Sequence, residues 1–246
     1  MKVFAIGDLH LSLDERIEKP MDIFGSRWVN HHECVKEHWE ALVGEGDVVL
    51  IPGDISWGLR ENEALADLAW IDSLPGRKVL TKGNHDLWWT TVSRLNKHFA
   101  DMVFLQNKAL MVSDKGAICG SRGWICPGTD GFGEHDQKIY NREVLRFEMS
   151  LEDAKRQGAD VIIAALHYPP TNDKHQPSGF TDLMTKYGVK TCVFGHLHGK
   201  DAFKNGMQGI YNAVEYKLVS LDYLEGKPEL IYVEESNGEK EEKVEE

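Results

Sequence analysis

Seven side chains in this sequence have the chemistry of metal ligands: Asp8, His10, Asp54, Asn84, His167, His196 and His198. Asp8 and His10 flank one residue, as do His196 and His198. At an extended strand exit, residues two apart point the same way, so Asp8 and His10 can converge on one cation and the imidazoles of His196 and His198 point to the same side. The donors are oxygen and imidazole nitrogen without sulfur. That set suits manganese, iron, zinc or cobalt, and it is too rich in imidazole for a dedicated magnesium or calcium site. Seven ligands exceed one tetrahedral zinc site. A carboxylate has two oxygens and can hold two cations about 3.5 to 4 Å apart, as in two-metal phosphatase centres, and Asp54 is the residue expected to bridge. The expectation is a pair of divalent ions, with manganese favoured.

Asn84 lies in Gly83-Asn84-His85-Asp86. Gly83 lets the backbone turn sharply, and Asn84 offers a neutral carbonyl oxygen. His85 is left free for proton transfer, and Asp86 is the neighbouring acceptor expected to fix its tautomer. Taken singly, each of these segments also reads as an ordinary turn, since Asn, Asp and His are common turn formers.

Position sets them apart, because the candidates follow five apolar runs: 3–6, 48–51, 79–80, 161–166 and 191–194. Short continuous apolar runs fit strands buried on both faces, and such sheets gather ligands at strand carboxyl ends. Helices are expected at 30–44, 61–74, 87–99 and 137–157, with Leu65, Leu68, Ala69 and Ile71 on the buried face of the second. Short strands are expected at 102–105, 109–112 and 117–119, and later at 209–214, 217–221 and 230–233. His31, Cys34 and His38 share a face of the first helix, but three positions without a fourth ligand read as a packed or solvated edge rather than a zinc site.

Two irregular stretches, 11–27 and 121–136, are expected to lie over the mouth of the site and to carry selectivity. Arg122 is suited to gripping a phosphate oxygen, with a surface salt bridge as the equal alternative. Arg60 is a second candidate for substrate contact.

The chain has 246 residues, 41% of them hydrophobic, and a formal charge of −12. It reads as one domain over 1–233, followed by an acidic tail from 234 to 246. Such an acidic balance disfavours general binding to nucleic acid or anionic membranes, so attraction for a phosphate must come from metal charge. The four cysteines lack a Cys-x-x-Cys spacing and read as reduced thiols. No run reaches bilayer length, so a cytoplasmic location is expected.

The ordered set Asp8-x-His10, Gly53-Asp54, Gly83-Asn84-His85-Asp86, His167 and Gly195-His196-x-His198 resembles the calcineurin-like metallophosphoesterase superfamily. The resemblance implies an α/β (α+β) fold, a four-layer α-β-β-α sandwich with two mixed β-sheets flanked by helices. It implies that Asp8, His10, Asp54 and His198 hold one metal, that Asp54, Asn84, His167 and His196 hold the other, and that His85 stands near the leaving group. The expected reaction is hydrolysis of a phosphomonoester or phosphodiester of a small molecule by a hydroxide bridging the two ions. A nuclease using the same chemistry and a non-catalytic scaffold of the same fold are the alternatives. Many members carry Arg three residues after the bridging Asp, where this chain has Trp57, and that leaves substrate orientation open.

Overall fold

A computed structural model describes residues 1–99 and 101–234. Most of the expected acidic tail, 235–246, lies outside the described residues. In chain order the elements are β1 (Lys2–Ala5), α1 (His31–Leu42), β2 (Val48–Pro52), α2 (Glu61–Asp72), β3 (Arg77–Thr81), α3 (Val92–Leu95), β4 (Met102–Phe104), β5 (Ala109–Met111), β6 (Gly116–Ser121), α4 (Glu134–Arg156), β7 (Val161–Leu166), α5 (Gly179–Tyr187), β8 (Thr191–Phe194), β9 (Gly209–Tyr211), β10 (Val214–Leu218) and β11 (Glu229–Val233).

The strands form two sheets, ordered β11-β1-β2-β3-β4 and β5-β6-β7-β8-β10-β9. Both are mixed. β1 to β4 run parallel with β11 antiparallel at the edge, and β6, β7, β8 and β10 run parallel between antiparallel β5 and β9.

The apolar runs are continuous because alternate residues serve two different cores. Val3, Ala5, Val48 and Leu50 face Ile163, Ala165 and Val193 between the sheets. Phe4, Ile6, Val49 and Ile51 turn outward to pack with Val35 and Trp39 of α1 and Leu68 and Ile71 of α2. Ile162, Ala164 and Leu166 turn the other way, toward Phe147 and Leu151 of α4 and Phe180 and Met184 of α5. Burying each such side chain contributes about 1.5–3 kcal/mol relative to leaving it in water. The result is the four-layer arrangement of helices, two sheets and helices.

Several elements differ from their sequence reading. Residues 87–99 do not form one helix, and only Val92–Leu95 is helical. Trp88 and Trp89 are buried beside Phe104, and the turn is tied down where the Trp88 indole donates to Asp86 Oδ1 at 3.1 Å. The buried side of α2 is Ala64, Asp67, Leu68 and Ile71, while Leu65 is exposed. Asp67 explains the shifted phase: its carboxylate accepts from the Leu13 amide at 2.7 Å and from the Ser56 hydroxyl, fastening the loops after β1 and β2 to the helix. The stretch 209–218 is a hairpin that turns at Asn212-Ala213, both with positive φ, as tight primed turns require. Helix α5 was not anticipated. It begins at Ser178, whose hydroxyl accepts the amides of Phe180 and Thr181, and ends at Gly188 in the left-handed region.

The four cysteines are unpaired thiols, and burial pushes Cys119 and Cys126 up to about 12. Among the described residues no helix is long and apolar enough to cross a membrane.

Candidate metal centre

The loops leaving β1, β2, β3, β7 and β8 bring all seven candidate ligands to one end of the two sheets. Two triads have donor atoms within 4.8 Å of one another: Asp8, His10 and His198, and Asp54, His167 and His196. The triads meet at Asp54, whose Oδ2 lies 3.8 Å from His10 Nε2 and 3.4 Å from His167 Nε2. Asn84 Oδ1 is 2.7 Å from His167 Nε2, on the second triad's side. His10 and His198 face each other at 3.2 Å, and so do His196 Nδ1 and His167 Nε2.

The backbone that achieves this is strained. Asp8, His10, Asp54 and His196 all have positive φ, between 44° and 72°. Non-glycine residues there cost on the order of 1–3 kcal/mol each and persist only when their surroundings hold them. The holding bonds are present. The amides of Asp8 and His10 donate to the carbonyls of Gly53 and Asp54 at 3.0 Å, and the His196 amide donates to both Asp8 oxygens at 3.0 Å. Two glycines make room. A Cβ on Gly83 would overlap the Asp54 carboxylate, and one on Gly195 would overlap that of Asp8.

Burial without compensation marks the cluster. It pushes the Asp8 carboxyl up to about 7; the His198 imidazole opposes the rise and the Asp54 carboxylate adds to it. Burial also raises Asp54, against hydrogen bonding and charge from His85. Burial drives His167 down to about 3 and His196 down to about 2, with neighbouring imidazoles adding to both. Burial opposes protonation of His198, yet the carboxylates of Asp222, Asp8 and Asp54 together hold it above its ordinary value.

The lone pairs test whether these residues fit a cation. His167 Nδ1 donates to the Pro52 carbonyl at 3.1 Å, which leaves Nε2 as an acceptor. That nitrogen faces the oxygens of Asn84 and Asp54. Acceptors converging in a buried space repel unless a cation sits among them, so the donor set fits divalent metal.

His85 stands at the rim, exposed, with its amide donating to Asp54 Oδ1 at 2.8 Å. Its expected partnership with Asp86 is not found. Asp86 is buried and accepts the amides of Ile55 at 2.9 Å, Ser56 at 3.3 Å and Gly83 at 2.7 Å, besides the Trp88 indole. It is the clamp between the β2 and β3 loops, and four donors leave it no capacity for an imidazole.

Trp57 stacks on His10 with ring centroids 4.8 Å apart and lies 4.4 Å from His85. With Met21, Phe24 and Trp28 it walls an aromatic cavity of about 380 Å³ that opens onto His10, His85 and His198. The stretch expected as a covering loop thus supplies this wall through two short 3-10 turns, Met21–Phe24 and Ser26–Trp28.

Arg122 lies beside the centre, and its carbonyl accepts the His167 amide at 3.1 Å. Its guanidinium is 3.7 Å from Glu143 and rests 4.6 Å from the Trp124 ring. Arg60 is not brought to the site; it is exposed at the start of α2 and lines neither cavity flanking the cluster. His31 is equally unavailable as a zinc ligand, since both ring nitrogens bond to the carbonyls of Trp28 and Leu9.

Asp222 escaped the sequence reading. Its Oδ1 is 2.9 Å from His198 Nδ1, which turns Nε2 toward Asp8, and its Oδ2 accepts the Gly199 amide at 2.9 Å. A carboxylate on the far nitrogen of a ligating histidine fixes its tautomer and strengthens it as a ligand. The signal was present: Leu218-Val219-Ser220-Leu221 is another largely apolar run ending in a carboxylate.

The family description "Calcineurin-like phosphoesterase" matches residues 1–200. The chain belongs to that family. Within that family's matched segment lie both triads of residues that could hold a metal ion. Among relatives of this calcineurin-like phosphoesterase, the gene 66 protein of Mycobacterium phage L5 is 45% identical over 56 residues, 23% of this chain and 27% of that protein. The match thus spans about a quarter of the phage protein's length. A probable cyclic nucleotide phosphodiesterase of Coxiella burnetii (strain RSA 493 / Nine Mile phase I) is 24% identical over 213 residues, covering 80% of this chain and 76% of the relative. A solved protein of unknown function from Aquifex aeolicus is 16% identical, covers 93% of this chain and 95% of its own, and superposes with a TM-score of 0.45.

Proposed function

We propose that this protein hydrolyses the phosphate ester of an organic small molecule at a two-cation centre. One observation carries the reading: a single Asp54 oxygen is approached by one imidazole from each triad, His10 at 3.8 Å and His167 at 3.4 Å. Asp8, His10, Asp54 and His198 would hold one ion, and Asp54, Asn84, His167 and His196 the other. When bound, the ions supply positive charge for the phosphate oxygens and make water nucleophilic near neutral pH. Manganese fits the mixed oxygen and nitrogen donors.

The residues of the chain do the rest. His85, exposed on the cavity side of Asp54, delivers a proton to the departing oxygen. The aromatic wall of Trp57, Trp28, Phe24 and Met21 receives the organic leaving group and keeps water from it. Trp57 replaces the usual Arg, so recognition at that place is by stacking rather than by charge. The name of the Coxiella relative supports including diesters among the substrates.

The test is hydrolysis by the full chain with added manganese, comparing an aryl phosphomonoester with the matching diester. Turnover of either supports the reading, and their ratio assigns phosphatase or phosphodiesterase. No turnover of either ester with manganese, iron, cobalt or zinc sinks it.

A further inference from the structure

A second cavity shares no lining residue with the aromatic one, and its lining is cationic. It encloses about 300 Å³ between Lys82 from the β3 loop, Arg122 from the β6 loop, and Arg142 and Arg146 from α4. The only carboxylate in its lining is Glu143, 1% exposed. The three guanidiniums share it, at 2.9 Å from Arg146, 3.4 Å from Arg142 and 3.7 Å from Arg122. Lys82 has no ion-pair partner among the described residues. One carboxylate against four cations leaves three positive charges in a chain whose formal charge is −12. Like charges crowded in a partly dry space repel unless an anion joins them.

A second observation concerns unpaired donors. Trp89 Nε1 and Arg122 Nε, both on lining residues, are buried without a hydrogen-bond partner. Buried donors are rarely left unmade, and each costs about 1–3 kcal/mol when it is. The cavity adjoins the candidate centre, since Lys82 precedes Asn84 by two residues and the Arg122 carbonyl holds the His167 amide.

We infer that this cavity is a phosphate-class oxyanion site, distinct from the metal centre, formed by Lys82, Arg122, Arg142 and Arg146. Guanidinium forks match the paired oxygens of a phosphate group, and two elements, the β6 loop and α4, supply them, with the Lys82 ammonium coming from the β3 loop. Resting on the phosphoesterase reading, the occupant is a second phosphate of the substrate, one not cleaved. Free inorganic phosphate is the other source of the same chemistry.

The experiment has two arms. In the first, inorganic phosphate is titrated calorimetrically into the full chain with chelator present, so that metal plays no part. Saturable binding, weakened about tenfold or more in R142Q/R146Q, is expected. Arg142 is half exposed, so R142Q alone serves where the pair disturbs α4. Absent binding, or binding untouched by either variant in a chain with unchanged melting, overturns the site. In the second arm, kcat/KM is compared between an organic bisphosphate and its monophosphate. A bisphosphate preference that falls about tenfold in the variants assigns the site to the substrate. A ratio that does not move, with phosphate binding lost, assigns it to free phosphate. If neither ester is hydrolysed the phosphoesterase reading fails, while the calorimetric arm still decides the oxyanion site.

Discussion

Asp222 is not among the seven candidate ligands, yet it decides which nitrogen His198 offers. Replacing it with Asn removes the charge and permits the wrong tautomer, so Asp222→Asn is expected to weaken manganese binding about 10- to 100-fold, read by calorimetry. Unaltered affinity would reduce Asp222 to a loop fastener for Gly199. His85 is the opposite case, a residue aimed at the substrate rather than at the ions. His85→Ala is expected to retain its metal by elemental analysis and to lose about 10²- to 10⁴-fold in kcat; undiminished turnover would remove it from the chemistry. At this scale Asp8 and His10 share a triad as their spacing suggested, but through positive φ rather than the extended backbone that a period of two assumes, and His196 and His198 go to different triads. The sequence misled at Asp86, where adjacency to His85 suggested a partnership. The carboxylate instead turns back into the protein toward four donors, a choice made by loops that lie apart in the chain.

At the scale of elements, the Asp86 clamp is what keeps the β2 and β3 loops in register. An Asn in its place points an amide at donors, so at least one buried amide or indole loses its acceptor, at about 1–3 kcal/mol. Asp86→Asn is expected to lower the melting temperature by roughly 4–8 °C if the loss is about 2 kcal/mol in a chain of this length. A melting curve unmoved within a degree would contradict the clamp. The strands were legible because burial on both faces writes an uninterrupted apolar run. The helices were less so. In α2 the carboxylate of Asp67 occupies a buried position that an apolar pattern assigns to the surface. Residues 87–99 are mostly weak helix formers such as Trp, Thr, Val, Ser and Asn, and with Trp88 and Trp89 buried in the outer core only Val92–Leu95 is helical.

At the scale of the molecule, the centre couples metal, protons and folding. Without metal, Asp8 rises to about 7, so it is mostly protonated below that pH in the folded chain. His167 and His196, down to about 3 and about 2, are neutral around neutral pH. In the metal-free fold the raised Asp8 makes stability fall as pH climbs from about 4 to about 7. The two depressed histidines make it rise from about 3 to about 6.5, and together they outweigh the single opposing carboxyl, so the net trend from these three groups is upward. Metal binding must expel the Asp8 proton, and it therefore becomes more favourable as pH rises toward and past 7. The expected outcome is a gap between the melting temperatures of manganese-loaded and chelator-treated protein that widens from pH 5 to pH 8. A constant gap would mean that Asp8 holds no proton to be displaced.

The pairing of β11 with β1 has a consequence for biosynthesis. Asp8 and His10 precede the other five candidate ligands in the chain, but the strand that delivers them has one neighbour from 48–50 and the other from 229–233. Asp222, which steers His198, also follows all seven candidate ligands in the chain. At about 5–20 residues per second, the growing polypeptide carries an unfinished centre for roughly ten seconds or more. Synthesis through β11, rather than appearance of the seven candidate ligands, is thus what completes the frame around the centre.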